Sequence, residues 1–391
     1  MVSVKPTLCA IVATIAAVTL ARDFHVDAMR GDDMHDGLSE TSAWRTVSRA
    51  QRQELAAGDR MLFRAGCMWR LDAPFMLDVR GSADAPVVVT RYGDGPAPDV
   101  RTSLDGLAMD WREVTNGLWS AVCGRPDVGN IVWGGGCGFK KARLSDVKAD
   151  GDFFHDKSAG KILFKWPQHP RTAFMQLEIC RRIDVVRVTG SRHAVIDGIA
   201  FMYTGAHGLR GWDIYGLAVR NCTFGWIGGS FLYEPCSWRP QGVRYGNGVE
   251  IWANGVCRDI RIEGCTFHDV YDTAMTNQGP GNGELDGMHI VSNRTARCEQ
   301  SYEYWFRNPD YKVGTIEIRG NVFEDAGFGW SHEQRPNKNA THILSYALKC
   351  PKGHIIVAGN RFGPTKQRNV WHMGDDGSDW LEMGENEMEC P

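Results

Sequence analysis

Three residues in the C-terminal half carry side chains suited to acid–base chemistry: Asp272, Glu303 and His332. Two carboxyl groups facing one bond can divide hydrolysis between them, one protonating the leaving oxygen while the other activates water or attacks directly. Around them stand groups that bind polar, ring-shaped ligands. Glu250, Asn277, Gln278, Arg307 and Arg335 offer hydrogen bonds; Trp252, Tyr304 and Trp330 offer aromatic faces. Tyr302, Trp305 and Phe306 interleave with these polar residues, unlike an ordinary solvent-facing strand. Convergent carboxylates among aromatic platforms are what cleavage of a sugar chain requires, so Asp272 and Glu303 are the preferred pair. Two other readings use the same segment. His332, Arg335, Arg307, Lys338 and Tyr304 could neutralise a uronate and remove its C5 proton, an elimination without metal. An aromatic groove could also hold a glycan without cleaving it. Asp272 could instead close a turn after Val270-Tyr271, and His332 could serve only as a hydrogen-bond partner to a carboxylate. No dense aspartate cluster suits calcium; Asp32-Asp33 and Asp375-Asp376 read as turn acids, and no cofactor is expected.

The elements that must position these groups are repeats. From about residue 183, short alternating strands recur, each ending in a Gly/Asn-x-x-Phe corner: 194–201, 217–224, 260–267, 316–323 and 355–362, with a weaker copy at 288–296. Alternation places Ile and Val on one face, so each strand is half-buried. Glycine or asparagine supplies the left-handed corner. One such unit cannot bury its own apolar face, but stacked units form a continuous core. The expectation is an all-β right-handed parallel β-helix, preferred over a sandwich or propeller because five copies share one corner. A second strand is expected at 229–233, 272–278, 301–306 and 329–335, and a third type at 248–252 and 341–346. Counting from the corners puts Asp272, Glu303 and His332 on successive rungs of one face, about 4.8 Å apart. The loops 234–247 and 279–286 are expected to wall the groove.

Composition bounds the function. A hydrophobic fraction of 43% with 23% charged residues describes a globular chain able to bury a large core. The net charge of −3 gives no basic footprint for nucleic acid. The 45 glycines suit many tight turns, and the 14 tryptophans suit stacking on sugar rings. Residues 1–21 read as an export signal: Lys5, an apolar run from Leu8 to Leu20, then Ala21. An uncleaved N-terminal anchor is the alternative; no second apolar run follows. The expectation is a secreted or periplasmic monomer that acts on a polysaccharide or oligosaccharide and touches neither nucleic acid nor, once the signal is removed, membrane. Losing Cys9 leaves an odd number of cysteines. Cys222 and Cys265 recur at one corner position and read as small core residues. The mature chain is expected to be one domain, residues 22–391: a cap and first rungs to 105, a β insertion over 106–180, and the main rungs from 181. A short helix near Thr46–Ala57 would cap the coil.

Several motifs resemble the pectate-lyase-like right-handed parallel β-helix superfamily of carbohydrate-active enzymes. Val26-Asp27, Gly31-Asp32-Asp33, Asp36-Gly37-Leu38-Ser39 and Trp44 are similar to an N-terminal signature of its secreted members. Gly58-Asp59, Leu62-Phe63 and Gly66 resemble the first strand after their capping helix, and the stretch from Gly117-Leu118-Trp119 to Phe164 resembles an insertion of several β-helix glycoside hydrolases. The resemblance spans nearly the whole mature chain and implies the architecture. For the reaction it implies only a sugar-active enzyme, since one coil carries both hydrolases and lyases.

Overall fold

The computed structural model describes residues 21–346, 348–373 and 378–389. Each repeated strand pairs in parallel with its equivalents one turn before and one turn after, so the chain winds into a right-handed parallel β-helix of three long sheets. The first sheet holds the alternating strands that the sequence marks. Ile196, Val219, Ile262, Ile290, Ile318 and Val357 stand in one register row and are fully buried.

The corner after this sheet repeats at backbone level. Gly198, Asn221, Gly264, Ser292, Gly320 and Gly359 all adopt positive φ, between 50° and 71°. The next residue forms a second ladder. In the later rungs it is asparagine: Asn321 accepts the backbone N–H of Asn293 at 2.8 Å and donates Nδ2 to the Ile290 carbonyl at 2.9 Å. In earlier rungs the place is taken by Cys222 and Cys265, buried free thiols whose Sγ lies against backbone carbonyls. The recurring cysteines are thus core residues of a corner. Phenylalanine opens the second sheet, where Phe201, Phe224, Phe267, Thr295, Phe323 and Phe362 are in register. Phe224 and Phe267 stack at 4.9 Å.

The third sheet differs from its expected membership. Val249–Trp252, Thr273–Gly279, Gln300–Phe306 and Thr341–Tyr346 are consecutive strands of this single sheet. Ser230–Tyr233 instead forms an antiparallel hairpin with Val243–Tyr245, outside the coil. Residues 329–335 are not a strand but an irregular segment with one 3-10 turn, His332–Gln334. The cause is corner length: five residues lead from Thr295 to Gln300, whereas eighteen lead from Phe323 to Thr341, although the ends are register partners.

At the N-terminal end, Trp44 stacks on Phe24 at 5.4 Å and is fully buried over the first rung. The expected capping helix shrinks to Val47–Ala50, with the Thr46 hydroxyl accepting the Arg49 N–H. One turn is enough to bury Val47 and Ala50, and the chain must then recross the open end to reach strand Arg60–Arg64. The insertion leaves the coil after Asp99–Arg101 and builds two small, mostly antiparallel sheets, from Leu104–Asp105 to Leu177–Arg181, around Trp111, Ile131, Phe153 and Phe164. Its expected hairpin is Asp152–Asp156 against Lys161–Lys165. The expected signal, but for Ala21, and Asp375-Asp376 lie outside the described residues. Among the described residues no helix is long and apolar enough to cross a membrane.

Asn321→Ala deletes the middle of a buried ladder and strands polar groups on both neighbouring rungs. It is expected to lower unfolding free energy by about 2–4 kcal/mol, measured by equilibrium denaturation with circular dichroism.

Candidate active site

The third sheet turns alternate residues outward, and the register sorts them into rows. Arg210, Glu250, Thr276 and Glu303 form one row across four rungs; Trp252, Gln278 and Trp305 form the next. The intervening residues point into the coil. This corrects two expected ligand contacts, Asn277 and Tyr304. Both are fully buried: Asn277 accepts the Tyr302 hydroxyl at 2.7 Å, and Tyr304 stacks between Tyr302 and Trp380. Period-two alternation decides the matter, because a residue one place from an outward carboxylate must face the core.

Glu303 sits on the outer face, half-buried. Its Oε2 receives Gln278 Nε2 at 3.1 Å and the Thr276 hydroxyl at 3.3 Å. Desolvation, helped by the negative charge of Asp272, raises its carboxyl from the ordinary range to about 8. Asp272 occupies the corner before Thr273–Gly279. Arg335 Nη1 donates to its Oδ1 at 3.0 Å and to the Tyr271 carbonyl at 3.1 Å. Asp272 and Glu303 therefore differ in kind, a corner carboxylate clamped by a guanidinium and, one rung on and opposite Thr276, a strand carboxyl.

His332 arrives from the expanded corner, not from a strand. Its Nδ1 lies 3.2 Å from both oxygens of Glu299, a fully buried carboxyl that sequence reading overlooked. Arg335 Nε stands 3.9 Å from the same group. Burial raises Glu299 above the usual carboxylate range, and Arg335 and His332 offset part of the effect. Glu299 is the register equivalent of Asp272, since Thr273 pairs with Gln300. A visible signal existed: the corner after Thr295 is one residue shorter than that after Phe267, which shifts the count onto Glu299.

The remaining expected residues line the margins. Glu250 is buried, receiving Asn247 Nδ2 at 2.9 Å, with Arg210 Nε at 2.8 Å in an ion pair too bent to be a hydrogen bond. Trp252 is half-buried beneath the Arg210 guanidinium at 4.8 Å, and Arg307 lies over Trp305 at 5.3 Å. Trp330 packs on Tyr271 at 5.3 Å and donates Nε1 to the Asp269 carbonyl at 2.9 Å, so it braces the expanded corner. The insertion braces it from the other side: Gln334 donates to the Gly138 carbonyl and accepts from Lys140 N. Among the described residues no three His, Cys, Asp or Glu side chains group as metal ligands.

Comparison with known proteins gives the coil its relatives. No family model matches the chain. A solved structure of XylC in complex with xylose superposes with a TM-score of 0.55 at 11% identity, over 94% of this chain and 70% of that one. A solved glycoside hydrolase superposes with a TM-score of 0.50 at 11% identity, over 94% and 96%. The likeness is one of fold, the right-handed parallel β-helix. In sequence, 83 residues are 28% identical to a lacto-N-biosidase of Bifidobacterium longum subsp. longum, covering 21% of this chain and 5% of that protein. The match thus spans about a twentieth of that relative's length.

Two outcomes follow from the electrostatics. Glu303 titrates near 8 in the folded chain against 4.5 when unperturbed, so the native state holds an extra proton between these values and loses stability as pH rises through them. Glu303→Gln is expected to raise stability by on the order of 1–3 kcal/mol at pH 8, with the gain vanishing towards pH 4 in paired thermal melts. Arg335→Met leaves Asp272 and Glu299 without their cation. It should destabilise by about 3–5 kcal/mol at pH 7, read by equilibrium denaturation.

Proposed function

We propose that this chain is an exported carbohydrate-active enzyme that hydrolyses glycosidic bonds of an oligosaccharide or polysaccharide. The observation that carries the reading is Glu303 on the outer face of the third sheet, within the field of Asp272 at the corner before Thr273–Gly279. Glu303 keeps its proton to about pH 8, as a general acid at neutral pH requires. Asp272, oriented by Arg335 at 3.0 Å, is the matching base or nucleophile. Glu250 and Gln278 border the pair as hydroxyl partners, and Trp252 and Trp305 flank it with ring faces for sugar stacking. His332 acts through Glu299 and Arg335 as a positioning residue. The xylose held by the fold relative and the short match to a lacto-N-biosidase agree with a sugar substrate.

Elimination on a uronate would use the same segment, but two of its candidate groups are engaged. Arg335 is bound to Asp272 and His332 to Glu299, which leaves neither free to neutralise a substrate carboxylate.

Glu303→Gln and Asp272→Asn are each expected to lower cleavage by about 10²–10⁴-fold while circular dichroism stays that of the parent. Parental kcat should fall as pH rises through about 8, where Glu303 loses its proton. The assay is reducing-end release from a panel of neutral and acidic glycans. Full activity in both variants would remove the pair from the mechanism, and a product with the ultraviolet absorbance of an unsaturated uronate would replace hydrolysis by elimination.

A further inference from the structure

The insertion, the hairpin Ser230–Tyr233/Val243–Tyr245 and the expanded corner enclose a cavity of about 560 Å³ behind the carboxylate cluster. Its charge is lopsided: six cations face it, against Asp146 and Glu333. Most of these cations are matched. Lys140 is sealed against Asp127, Lys141 reaches Asp152 at 2.9 Å, Lys338 reaches Glu333 at 2.9 Å, and Arg335 holds Asp272.

Two guanidinium groups are left over. Arg143 is exposed, and its guanidinium has no hydrogen-bond or ion-pair partner among the described residues. Arg244 has no carboxylate in ion-pair range: the carbonyls of Gly229 and Gly129 and the side-chain oxygen of Gln334 at 3.0 Å hold its guanidinium, which lies over the Tyr271 ring at 4.6 Å and the Trp330 ring at 5.9 Å. A half-buried guanidinium held by neutral oxygens and ring faces has no counter-ion at contact distance, and a bound anion supplies one. Phe139 and Phe231 give the same cavity apolar walls. The hairpin that forms its rim exposes Tyr233 and Trp238, 56% and 75% accessible, with the Arg239 guanidinium 4.9 Å and 4.4 Å from their rings. Apolar ring faces beside unmatched guanidinium groups suit a sugar ring that carries an acid, and the volume lies within the range of small-ligand sites, about 300–1,000 Å³.

We propose that this cavity is a second glycan-binding site, distinct from the outer face of the third sheet, that takes a sugar residue bearing a carboxylate or a sulfate ester. The proposal rests on the reading of the chain as carbohydrate-active. Arg335 borders both places, so an anion bound in the cavity sits one guanidinium away from Asp272.

Calorimetric titration of the whole protein with D-glucuronate, glucose 6-sulfate, glucose and inorganic sulfate tests it, with Arg143→Glu and Glu303→Gln as variants of checked fold. Both or either acidic sugar should bind, with the stronger one naming the acid; glucose should not. Arg143→Glu should weaken binding by about 5–10-fold, while Glu303→Gln leaves it unchanged. Glucose binding as well as glucuronate, inorganic sulfate binding as well as its sugar ester, an unaffected Arg143→Glu, or a loss confined to Glu303→Gln would each overturn the proposal. No titration involves cleavage, so a protein that binds the acid but hydrolyses nothing would sink the enzymatic reading and leave the cavity standing.

Discussion

Every feature of this molecule hangs on rung-to-rung register. A strand of five or six residues has no partner within its own turn and gains both its hydrogen bonds and its apolar contacts from the turns above and below. A slip of one residue would turn the buried Ile and Val row outward. The corner after the first sheet prevents it in two ways. A positive φ at one residue fixes where the chain bends, and the small residue that follows, asparagine or cysteine, locks each bend to the next. The asparagine ladder satisfies buried carbonyls that no strand reaches, so it holds alignment and hydrogen bonding together.

With register fixed, chemistry becomes a matter of which positions face out. The outer row Arg210, Glu250, Thr276 and Glu303 sets two carboxyls two rungs apart, with the neutral Thr276 between them. Acids this close cannot all ionise freely, and the chain resolves the conflict by giving each a different environment. Glu250 is tied to Arg210 and Asn247, Asp272 is clamped by Arg335, and Glu299 is sealed against His332. Glu303 has only neutral donors, and burial raises its carboxyl to about 8. A carboxyl that stays protonated at neutral pH is what a general acid needs.

The insertion and the expanded corner complete the arrangement from outside the coil. Gln334 is hydrogen-bonded to the insertion at Gly138 and Lys140 and to Arg244 of the hairpin, which places Arg335 beside it between Asp272 and the basic cavity. Three segments distant in sequence thus converge on one loop, and the arginine that orients a candidate catalytic carboxylate also borders a positively charged chamber.

The sequence by itself determined the coil. Alternating Ile and Val, a left-handed corner residue and the recurring Phe are local features, and stacking is the physical outcome open to such units, so the three-sheet architecture and the core cysteines were legible. The facing of Asn277 and Tyr304 was equally within reach, because parity alone sends them inward. What only the tertiary structure decided is what lies between strands. Thirteen extra residues in the corner after Phe323 carry His332 and Arg335 off the strand and down onto Glu299 and Asp272. No periodicity records that path, since a loop's course is set by what it packs against. The docking of the insertion, and with it the basic cavity, belongs to the same category: contacts between segments far apart in the chain leave no trace in local pattern.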